Sequence, residues 1–340
     1  MNETERTALA SFLAAAAGAS AATILELKLL SGGAVQENWR LDIDFADGPF
    51  AGAHGLVLRC DSPTAGVAIS HGRAEEFALL KAVFAVGVTV PEPLWLCTDR
   101  TVIGRPFFAM RRIAGTAAGH VLVKDTGFPG DRVALAERLG AELARIHSIR
   151  PPRADLGFLP EPAGPPALVT IAAHRAFLDR HHTPYPALEW GLRWLERHAP
   201  PRGEITLCHR DFRTGNYMAD AAGVTGILDW EFAGWSDPME DIGWFCAKCW
   251  RFGRNDPERE AGGIGARSDF YRGYAEVSGR PVDAGIIRYW EVMAHVTWAI
   301  VAIQQAERHL SGAEESLLLA LTGHIVPELE WDILKMTETD

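Results

Sequence analysis

The sequence predicts an α+β fold of two unequal lobes, a small β-rich N-terminal lobe and a larger, mainly helical C-terminal lobe. Before residue 113, short segments alternate apolar and polar residues, which is the period of a half-buried strand. After it, long segments carry apolar residues at helical spacing. A chain of 340 residues is long enough for two such lobes. We therefore expect an N-terminal lobe over 1–112 and a C-terminal lobe over 113–340.

The chain opens with an apolar segment, "TALASFLAAAAGASAA", whose composition is like that of a signal peptide. Glu3 and Glu5 precede it against only Arg6, so the positively charged region of a signal peptide is missing. The segment is instead typical of an opening helix, with Thr7 as a candidate N-cap. We expect this helix to belong to the N-terminal lobe.

The next segments are typical of strands. In "NWRLDIDF", Trp39, Leu41, Ile43 and Phe45 alternate with polar residues. "ILELKLLSGG" precedes this segment, and "LVLRC" follows it after the turn residues of "ADGPFAGAHG". Together they predict an antiparallel meander. "VPEPLWLCTD" and "GRPFFAMRRIAG" add two further strands, so we expect a five-stranded antiparallel sheet.

One helix interrupts these strands. "HGRAEEFALLKAVFAVG" is predicted to place Phe77, Leu80, Val83 and Phe84 on one face. In the C-terminal lobe, the proline-rich stretch 150–167 is predicted to be a loop, because proline lacks a backbone donor. The helices of that lobe are predicted at 131–149, 187–198, 236–252, 265–278 and 283–308.

Composition narrows the classes of partner. A net charge of -11 disfavours nucleic acid, because phosphate binding needs a basic surface. Five cysteines, an odd number without a regular framework, indicate a reducing compartment, so we expect a cytoplasmic protein. No segment reaches the roughly 18 uninterrupted apolar residues of a membrane span. Neither nucleic acid nor a membrane is therefore expected as a partner.

The segment "CHRDFRTGN" at 208–216 combines charged side chains with a glycine in one loop. "NYMAD" and "VTGILDW" follow as the strands of a hairpin around a turn at 221–223. This geometry would deliver Asp211, Asn216 and Asp229 to one end of the hairpin. Mg²⁺ takes hard oxygen ligands and usually one or two carboxylates, completed by phosphate and water. The remaining carboxylate would be free to accept a proton from an attacking hydroxyl, so the three residues suit phosphoryl transfer.

These motifs resemble those of known kinases. "HRDFRTGN" resembles the protein-kinase catalytic loop H-R-D-x-x-x-x-N, and "LDWEF" stands where those enzymes have D-F-G. The order "HRDFRTGN", hairpin, "ILDWE" and "GWSDPMEDIGW" is even more similar to the aminoglycoside phosphotransferase family of small-molecule kinases. The resemblance extends from Leu30 to about Tyr274. It implies a protein-kinase-like bilobal fold and ATP- and Mg²⁺-dependent phosphorylation of a hydroxyl group on a small molecule.

The resemblance also implies roles for single residues. Asp211 corresponds to the catalytic base that orients the acceptor hydroxyl, and Asn216 and Asp229 correspond to the magnesium ligands. Arg213 stands where protein kinases have a lysine near the γ-phosphate, and it would stabilise charge in the transition state. His209 and Asp241 are implied to be structural, and Asp241 would hold the loop backbone from the helix that follows.

By the same resemblance, the N-terminal lobe would hold ATP. The first strand-to-strand turn contains Ser31, Gly32 and Gly33, whose backbone N–H groups would cover the phosphates. Protein kinases carry a lysine on the third strand, whereas "LVLRC" offers Arg59 there. The resemblance assigns Arg59 to the α- and β-phosphates, with a guanidinium fork in place of a point charge.

The third-strand arginine needs an acidic partner on the following helix. Glu76 matches the family pattern, with Glu75 one residue earlier as the alternative. The joint between the lobes, "FFAMRRIAG", resembles the kinase hinge, where adenine bonds to main-chain groups. Met110 precedes this hinge, and the backbones of Arg111 and Ile113 would contact adenine.

Three alternatives bear on the activity. A protein kinase needs a long activation segment, but only eleven residues separate Asp229 from Asp241, which favours a small-molecule acceptor. The motifs are also similar to those of kinase domains attached to acyl-CoA dehydrogenases, so a hydroxyacyl thioester or hydroxy acid is an alternative acceptor. Arg59 in place of the kinase lysine leaves a catalytically weak, nucleotide-binding regulatory protein as a further alternative.

Overall fold

The structure is a computed structural model that describes residues 1–30, 37–61, 70–124, 128, 130–201 and 203–338. The chain opens with helix α1, Glu3–Ala17. Its N-cap is Asn2, whose side chain accepts from the N–H of Glu5 while the Glu5 carboxylate accepts from the N–H of Asn2. The prediction of Thr7 as N-cap is wrong, because Thr7 lies inside the helix and its hydroxyl donates to the carbonyl of Glu3.

Five antiparallel strands form the sheet of the N-terminal lobe, as predicted. They are β1 Ala22–Leu29, β2 Glu37–Phe45, β3 Gly52–Cys60, β4 Pro93–Cys97 and β5 Phe107–Arg111. Their spatial order is β1-β2-β3-β5-β4. The alternation in β2 buries Leu41, Ile43 and Phe45 in a core shared with α1. Arg59 lies near the end of β3, the central strand, and therefore on the part of the sheet that is paired on both sides.

Helix α2, Arg73–Ala85, packs against the sheet. Its buried residues include Glu76, Leu79, Leu80 and Val83, which follow the spacing i, i+3, i+4, i+7. Phe84 is 45% exposed, so its predicted place on this face is wrong, because it is turned about 100° away from Val83. A short helix that was not predicted, α3 Arg100–Ile103, follows β4.

The C-terminal lobe is mainly helical, as predicted. Its helices are α4 Gly119–Leu122, α5 Arg132–Ile146, α6 Pro166–Leu178, α7 Pro186–Arg197, α8 Pro238–Cys246, α9 Arg267–Ser278, α10 Ala284–Leu310, α11 Leu317–Gly323 and α12 Val326–Thr337. The predicted segments overlap α5 and α7 to α10, whereas α4, α6, α11 and α12 were not predicted. Helix α6 begins at Pro166, inside the predicted loop. Proline is tolerated at the first position of a helix, because an N–H there would have no partner within the helix.

The predicted helix 236–252 is interrupted. Helix α8 ends at Cys246 because Ala247 adopts an extended ψ of 137°, and Lys248–Trp250 then forms a 3₁₀ turn. This break folds the chain back on itself. The ring of Trp250 thereby packs against that of Trp244, with centroids 5.3 Å apart.

Four short strands lie among the helices: β6 Thr206–Cys208, β7 Tyr217–Asp220, β8 Gly223–Ile227 and β9 Gly234–Ser236. Strands β7 and β8 form the predicted hairpin, and β6 pairs with β9. Helix α10 is long and apolar enough to cross a membrane, but 72% of its most apolar window is buried inside the protein, as in a core helix.

Helices α5 and α9 cross with their backbones in contact. A Cβ atom at Gly140 would lie 2.1 Å from the carbonyl oxygen of Phe270, and one at Gly273 would lie 1.9 Å from the carbonyl oxygen of Glu137. Real Cβ atoms do not approach backbone oxygen so closely, so both positions require glycine. This contact fixes the middle of α5 against α9.

We expect Gly273→Ala to lower the free energy of unfolding by roughly 1–3 kcal/mol through overpacking. Helix propensity alone would predict the opposite change, because alanine in a helix is more favourable than glycine by about 1 kcal/mol. Urea unfolding measures the change. Gly157→Ala is the control, because Gly157 has a φ of -63° and the nearest atom to its added Cβ lies 3.5 Å away. Equal stability of the two variants would contradict the prediction.

Candidate active site

The loop 209–216 connects β6 to β7, and a buried carboxylate holds its backbone. Asp241, in the first turn of α8, accepts hydrogen bonds from the N–H groups of His209 at 2.6 Å and Arg210 at 2.7 Å. Arg210 has a φ of 63°, a left-handed conformation that a non-glycine residue keeps only where its surroundings impose it. The prediction that Asp241 holds the loop backbone is confirmed.

Asp241 is itself oriented by His147, the C-cap residue of α5. Nε2 of His147 donates to Asp241 at 3.1 Å, and Nδ1 accepts from the Tyr274 hydroxyl at 3.0 Å. Burial lowers the pKa of His147 and raises the pKa of Tyr274 to about 12, so the ring is neutral and the hydroxyl keeps its proton. Burial acts to raise the pKa of Asp241 as well, but its donors outweigh burial and hold the pKa below its usual range.

His209 ties the loop to the end of the β7–β8 hairpin. Its Nε2 donates to the carbonyl of Leu228 at 2.8 Å, and its Nδ1 accepts from the N–H of Asp211 at 3.3 Å. The fully buried ring packs on Trp230, with centroids 4.7 Å apart. His209 therefore fixes the distance between the segments that carry Asp211 and Asp229.

The Asp211 carboxylate is bonded on both oxygens. Oδ1 accepts from Nε of Arg213 at 3.0 Å and from Nε1 of Trp244 at 3.1 Å. Oδ2 accepts from Nδ2 of Asn216 at 2.5 Å, and the same amide donates to the backbone carbonyl of Asp211 at 2.9 Å. Burial, together with the charge of Asp229, raises the pKa of Asp211 against the opposing effect of Arg213. A raised pKa suits a carboxylate that accepts a proton.

Trp244 contacts Asp211 but was not predicted from the sequence as a residue of the site. A tryptophan at helical spacing is typical of a core, and its contact with Asp211 depends on how α8 is rotated against the loop. A second tryptophan contacts Arg213 through a cation–π interaction, since the guanidinium carbon of Arg213 lies 4.7 Å from the centroid of the Trp250 ring. Two tryptophans thus surround the predicted base and its neighbouring cation.

Asp229 lies just after β8 and bonds a residue of the N-terminal lobe. It has a φ of 66°, and its Oδ1 accepts from Nη2 of Arg59 at 2.7 Å. Burial acts to raise the pKa of Asp229, but the charge of Arg59 outweighs it and holds the pKa below its usual range. The N–H of Leu228 donates to the carbonyl of Asn216 at 2.8 Å, so Asn216 and Asp229 lie on adjacent segments.

The oxygens that remain on these two residues fit a magnesium ion. Within the described ranges of the chain, Oδ1 of Asn216 and Oδ2 of Asp229 accept no hydrogen bond from the protein. One is an amide oxygen and the other a carboxylate oxygen, and both are the hard ligands that Mg²⁺ prefers. Arg59 already bonds the other oxygen of Asp229, so this carboxylate offers a single ligand atom.

The predicted partner of Arg59 is present. Nε of Arg59 donates to Glu76 at 2.9 Å, and Arg73 bonds the same carboxylate from the preceding turn of α2. Glu75 instead accepts from the N–H of Gly72 at the start of α2, so the alternative pair does not form. The two carboxylates on Arg59 raise the pKa of its guanidinium even though burial opposes this.

The predicted hinge leads from β5 into the C-terminal lobe. Met110 lies within β5, between β3 and β4. The N–H of Arg111 donates to the carbonyl of Glu92 at 2.9 Å, so an adenine contact by Arg111 would have to use its carbonyl. Among the residues that the structure describes, the backbone of Ile113 finds no hydrogen-bond partner, which leaves its N–H and C=O available. The predicted phosphate-covering residues lie outside the described residues: Ser31, Gly32 and Gly33.

The same two-lobed fold occurs in solved phosphotransferases. The structure matches a protein of Ralstonia eutropha JMP134 assigned as an aminoglycoside phosphotransferase, with a TM-score of 0.76, 20% identity and 97% of both chains covered. It also matches spectinomycin phosphotransferase in complex with ADP and spectinomycin, with a TM-score of 0.61, 16% identity and 97% of both chains covered. Identities this low establish the fold, which is that of the protein-kinase-like small-molecule phosphotransferases.

The chain belongs to the phosphotransferase enzyme family, whose family model matches residues 26–279. This membership agrees with the phosphotransferase class that the motifs predict. The chain is 28% identical to acyl-CoA dehydrogenase family member 10 of Mus musculus over 296 residues, which cover 82% of this chain and 27% of that protein. It therefore spans about a quarter of the length of this relative.

We expect Asp241→Asn to destabilise the protein by roughly 2–5 kcal/mol at pH 7, because an amide cannot replace the carboxylate that accepts two backbone N–H groups and His147. The folded-state pKa of Asp241 lies below its unfolded value. Its stabilising effect is therefore present above the unfolded pKa and lost as the pH falls through the folded pKa.

Urea unfolding of the wild type and Asp241→Asn at several pH values measures this effect. The difference in free energy of unfolding should be largest near pH 7 and should shrink below about pH 4. Asp256→Asn is the control, because Asp256 is exposed. A loss that does not change with pH, or an equal loss in the control, would show that the charge of Asp241 is not what holds the loop.

Proposed function

We propose that the protein is an ATP- and Mg²⁺-dependent phosphotransferase that acts on a hydroxyl group of a small molecule. One observation carries the proposal: the residues of three expected roles meet between the lobes. Asp211 bonds Asn216 at 2.5 Å, and Asp229 bonds Arg59 of the N-terminal lobe at 2.7 Å. The residues proposed as the base, as the two oxygen ligands of a cation and as the phosphate-binding guanidinium thus belong to one connected set of contacts.

In the proposed reaction, the hydroxyl oxygen of the acceptor attacks the γ-phosphorus of ATP. A bond forms between that oxygen and the phosphorus, the bond from the phosphorus to the β–γ bridging oxygen breaks, and ADP leaves. The hydroxyl proton passes to Asp211. Its Oδ2 accepts one hydrogen bond from Asn216 and keeps a further lone pair for this proton.

Asn216 and Asp229 would hold the magnesium ion. When bound, Mg²⁺ neutralises charge on the β- and γ-phosphate oxygens. The role of the protein is to hold two ligand oxygens in place before the nucleotide binds. Asn216 is held by its amide bonds to Asp211, and Asp229 by its bond to Arg59.

Arg213 would stabilise negative charge on the transferring phosphoryl group. Its Nε bonds Asp211, and its guanidinium lies over Trp250, so the cation is held beside the base. A positioned cation of this kind typically contributes a few kcal/mol to a transition state. Its side chain is 27% exposed, which leaves part of the guanidinium open to a substrate.

The nucleotide would lie between the sheet and the hinge. Arg59 would contact the α- and β-phosphates, and the backbones of Arg111 and Ile113, which follow Met110, would contact adenine. Spectinomycin phosphotransferase, which has the same fold, is in complex with ADP, and this supports a nucleotide site in the present chain. The backbone groups of Ile113, which have no partner in the described part of the chain, support it independently.

A hydroxy acid or a hydroxyacyl thioester is the second candidate acceptor. The match to acyl-CoA dehydrogenase family member 10 of Mus musculus over 82% of the present chain favours it. The partly exposed guanidinium of Arg213 beside Asp211 favours it too, since an anionic acceptor would find a cation there. A polycationic sugar would meet repulsion from the same group.

We expect Asp211→Ala to lower kcat by about 10²-fold or more, because the variant removes a positioned proton acceptor. The measurement is ADP release from Mg-ATP with a panel of amino sugars, neutral alcohols, hydroxy acids and hydroxyacyl thioesters, with phosphorylated products identified by mass spectrometry. The acceptor that gives product separates the two candidates.

Asp256→Ala is the control, because it removes an exposed carboxylate. More than about a tenth of the wild-type kcat in Asp211→Ala would rule out Asp211 as the base. If the wild type binds ATP but never exceeds Asp211→Asn in ADP release, the protein is instead a nucleotide-binding regulatory protein.

We expect Arg59→Lys to weaken Mg-ATP binding by about 10-fold, since one ammonium group does not replace a fork that bonds two carboxylates and would also face the phosphates. Isothermal titration of Mg-ATP into the protein measures the Kd. Arg40→Lys is the matched control, because the Arg40 side chain is 43% exposed on the surface of the same sheet. An unchanged Kd in Arg59→Lys would contradict the assignment of Arg59 to the phosphates.

A further inference from the structure

We propose that Trp244 and Trp250 position the catalytic base. Trp244 fixes the rotation of the Asp211 carboxylate, and Trp250 holds Arg213 against the same carboxylate. This inference rests on the proposed function, because it takes Asp211 as the proton acceptor. Both tryptophans act through another residue, so they are positioning residues and not catalytic ones.

The acceptor sites of the Asp211 carboxylate are nearly filled. A carboxylate oxygen offers about two lone-pair sites. Oδ1 accepts from Trp244 at 3.1 Å and from Arg213 at 3.0 Å, so both of its sites are used. In the described part of the chain, Oδ2 accepts only from Asn216, which leaves one site. The two donors on Oδ1 therefore direct an acceptor hydroxyl to Oδ2.

Trp244 is held firmly enough to impose this orientation. It lies in α8 and is 9% exposed. Its ring packs against Trp250 at a centroid distance of 5.3 Å, and Trp250 packs against Trp298 of α10 at 4.7 Å. An indole side chain has two rotatable bonds and loses little conformational freedom when it is packed in this way. The N–H of Trp244 is thus a fixed donor to Asp211.

Trp250 acts through the face of its ring. Its Nε1 is buried and has no hydrogen-bond partner among the described residues. The guanidinium carbon of Arg213 lies 4.7 Å from the ring centroid, which is a cation–π distance. A guanidinium that stacks on a ring keeps its in-plane N–H groups free, and here Nε donates to Asp211. Trp250 therefore sets the plane in which Arg213 meets the base.

The first test compares Trp244→Phe with Trp290→Phe. Both changes keep an aromatic ring and delete an indole N–H. That N–H donates to Asp211 in Trp244, whereas in Trp290 it has no partner in the described ranges. Trp290 is 1% exposed, so the control disturbs the core at least as much.

We expect kcat for ADP release from Mg-ATP, with water as the acceptor, to be about 10-fold lower in Trp244→Phe than in Trp290→Phe, with an unchanged KM for ATP. Trp244→Tyr, which also lacks the indole N–H, replaces Trp244→Phe if that variant does not fold.

The second test concerns Trp250, where leucine removes the aromatic ring face and phenylalanine keeps it. Trp250→Leu should therefore have a kcat roughly five-fold below that of Trp250→Phe.

A spectroscopic measurement separates orientation from general damage. The chain has eleven tryptophans, so we expect one indole ¹⁵N–¹H signal for each. The signal that disappears in Trp244→Phe or Trp244→Tyr belongs to Trp244. We expect Asp211→Asn to shift this signal and to speed its exchange with solvent, while the signal of Trp290 stays in place.

Equal kcat values for Trp244→Phe and Trp290→Phe, or a Trp244 signal that Asp211→Asn does not move, would overturn the inference on Trp244. Equal kcat values for the two Trp250 variants would overturn the inference on Trp250. Either result leaves Asp211 as the base. Wild-type ADP release by Asp211→Ala would instead overturn the proposed function, and the inference with it.

Discussion

The geometry of the site depends on the buried guanidinium of Arg59. This residue lies on the central strand of the sheet and bonds Glu76 of α2 at 2.9 Å and Asp229 of the C-terminal lobe at 2.7 Å. A buried cation is costly unless it is paired, and each neighbour supplies a carboxylate. One side chain therefore fixes both the helix that packs on the sheet and a proposed metal ligand of the other lobe. A guanidinium fork can bond two acids in this way.

The second constraint is the shape of the two segments that carry the site. Arg210 and Asp229 both have left-handed backbones, with φ values of 63° and 66°. Such residues cost roughly 1–3 kcal/mol each and persist only where the surroundings impose them. Asp241 imposes the first through two backbone hydrogen bonds, and His209 braces the second through the carbonyl before Asp229. The strained backbone conformations thus occur in the two segments whose side chains form the site.

Local sequence predicts the parts of the structure that local contacts determine. The sheet and the β7–β8 hairpin follow from alternation and turn residues. The contact of Asp241 with the loop, which spans 31 and 32 positions, is not local and was implied only by the family resemblance. Phe84 was misplaced because a helix face shifted by one residue satisfies the same pattern, and Thr7 because Asn2, five residues earlier, is an equally good N-cap type. Trp244 was not predicted as part of the site, because its bond to Asp211 joins residues 33 positions apart and depends on the rotation of α8. The interruption of α8, which brings Trp250 under Arg213, depends on one extended ψ at residue 247.

The two central carboxylates differ because of what surrounds them. Burial raises the pKa of Asp211, and the charge of Asp229 adds to this effect. Arg59 overcomes burial at Asp229 and holds its pKa low. When neighbouring carboxylates have pKa values that are moved apart, one is suited to exchange a proton while the other stays ionised. The proposed division between base and metal ligand follows the same asymmetry. Because Arg59 sets it from the other lobe, any movement of β3 relative to the β7–β8 hairpin would alter both carboxylates at once.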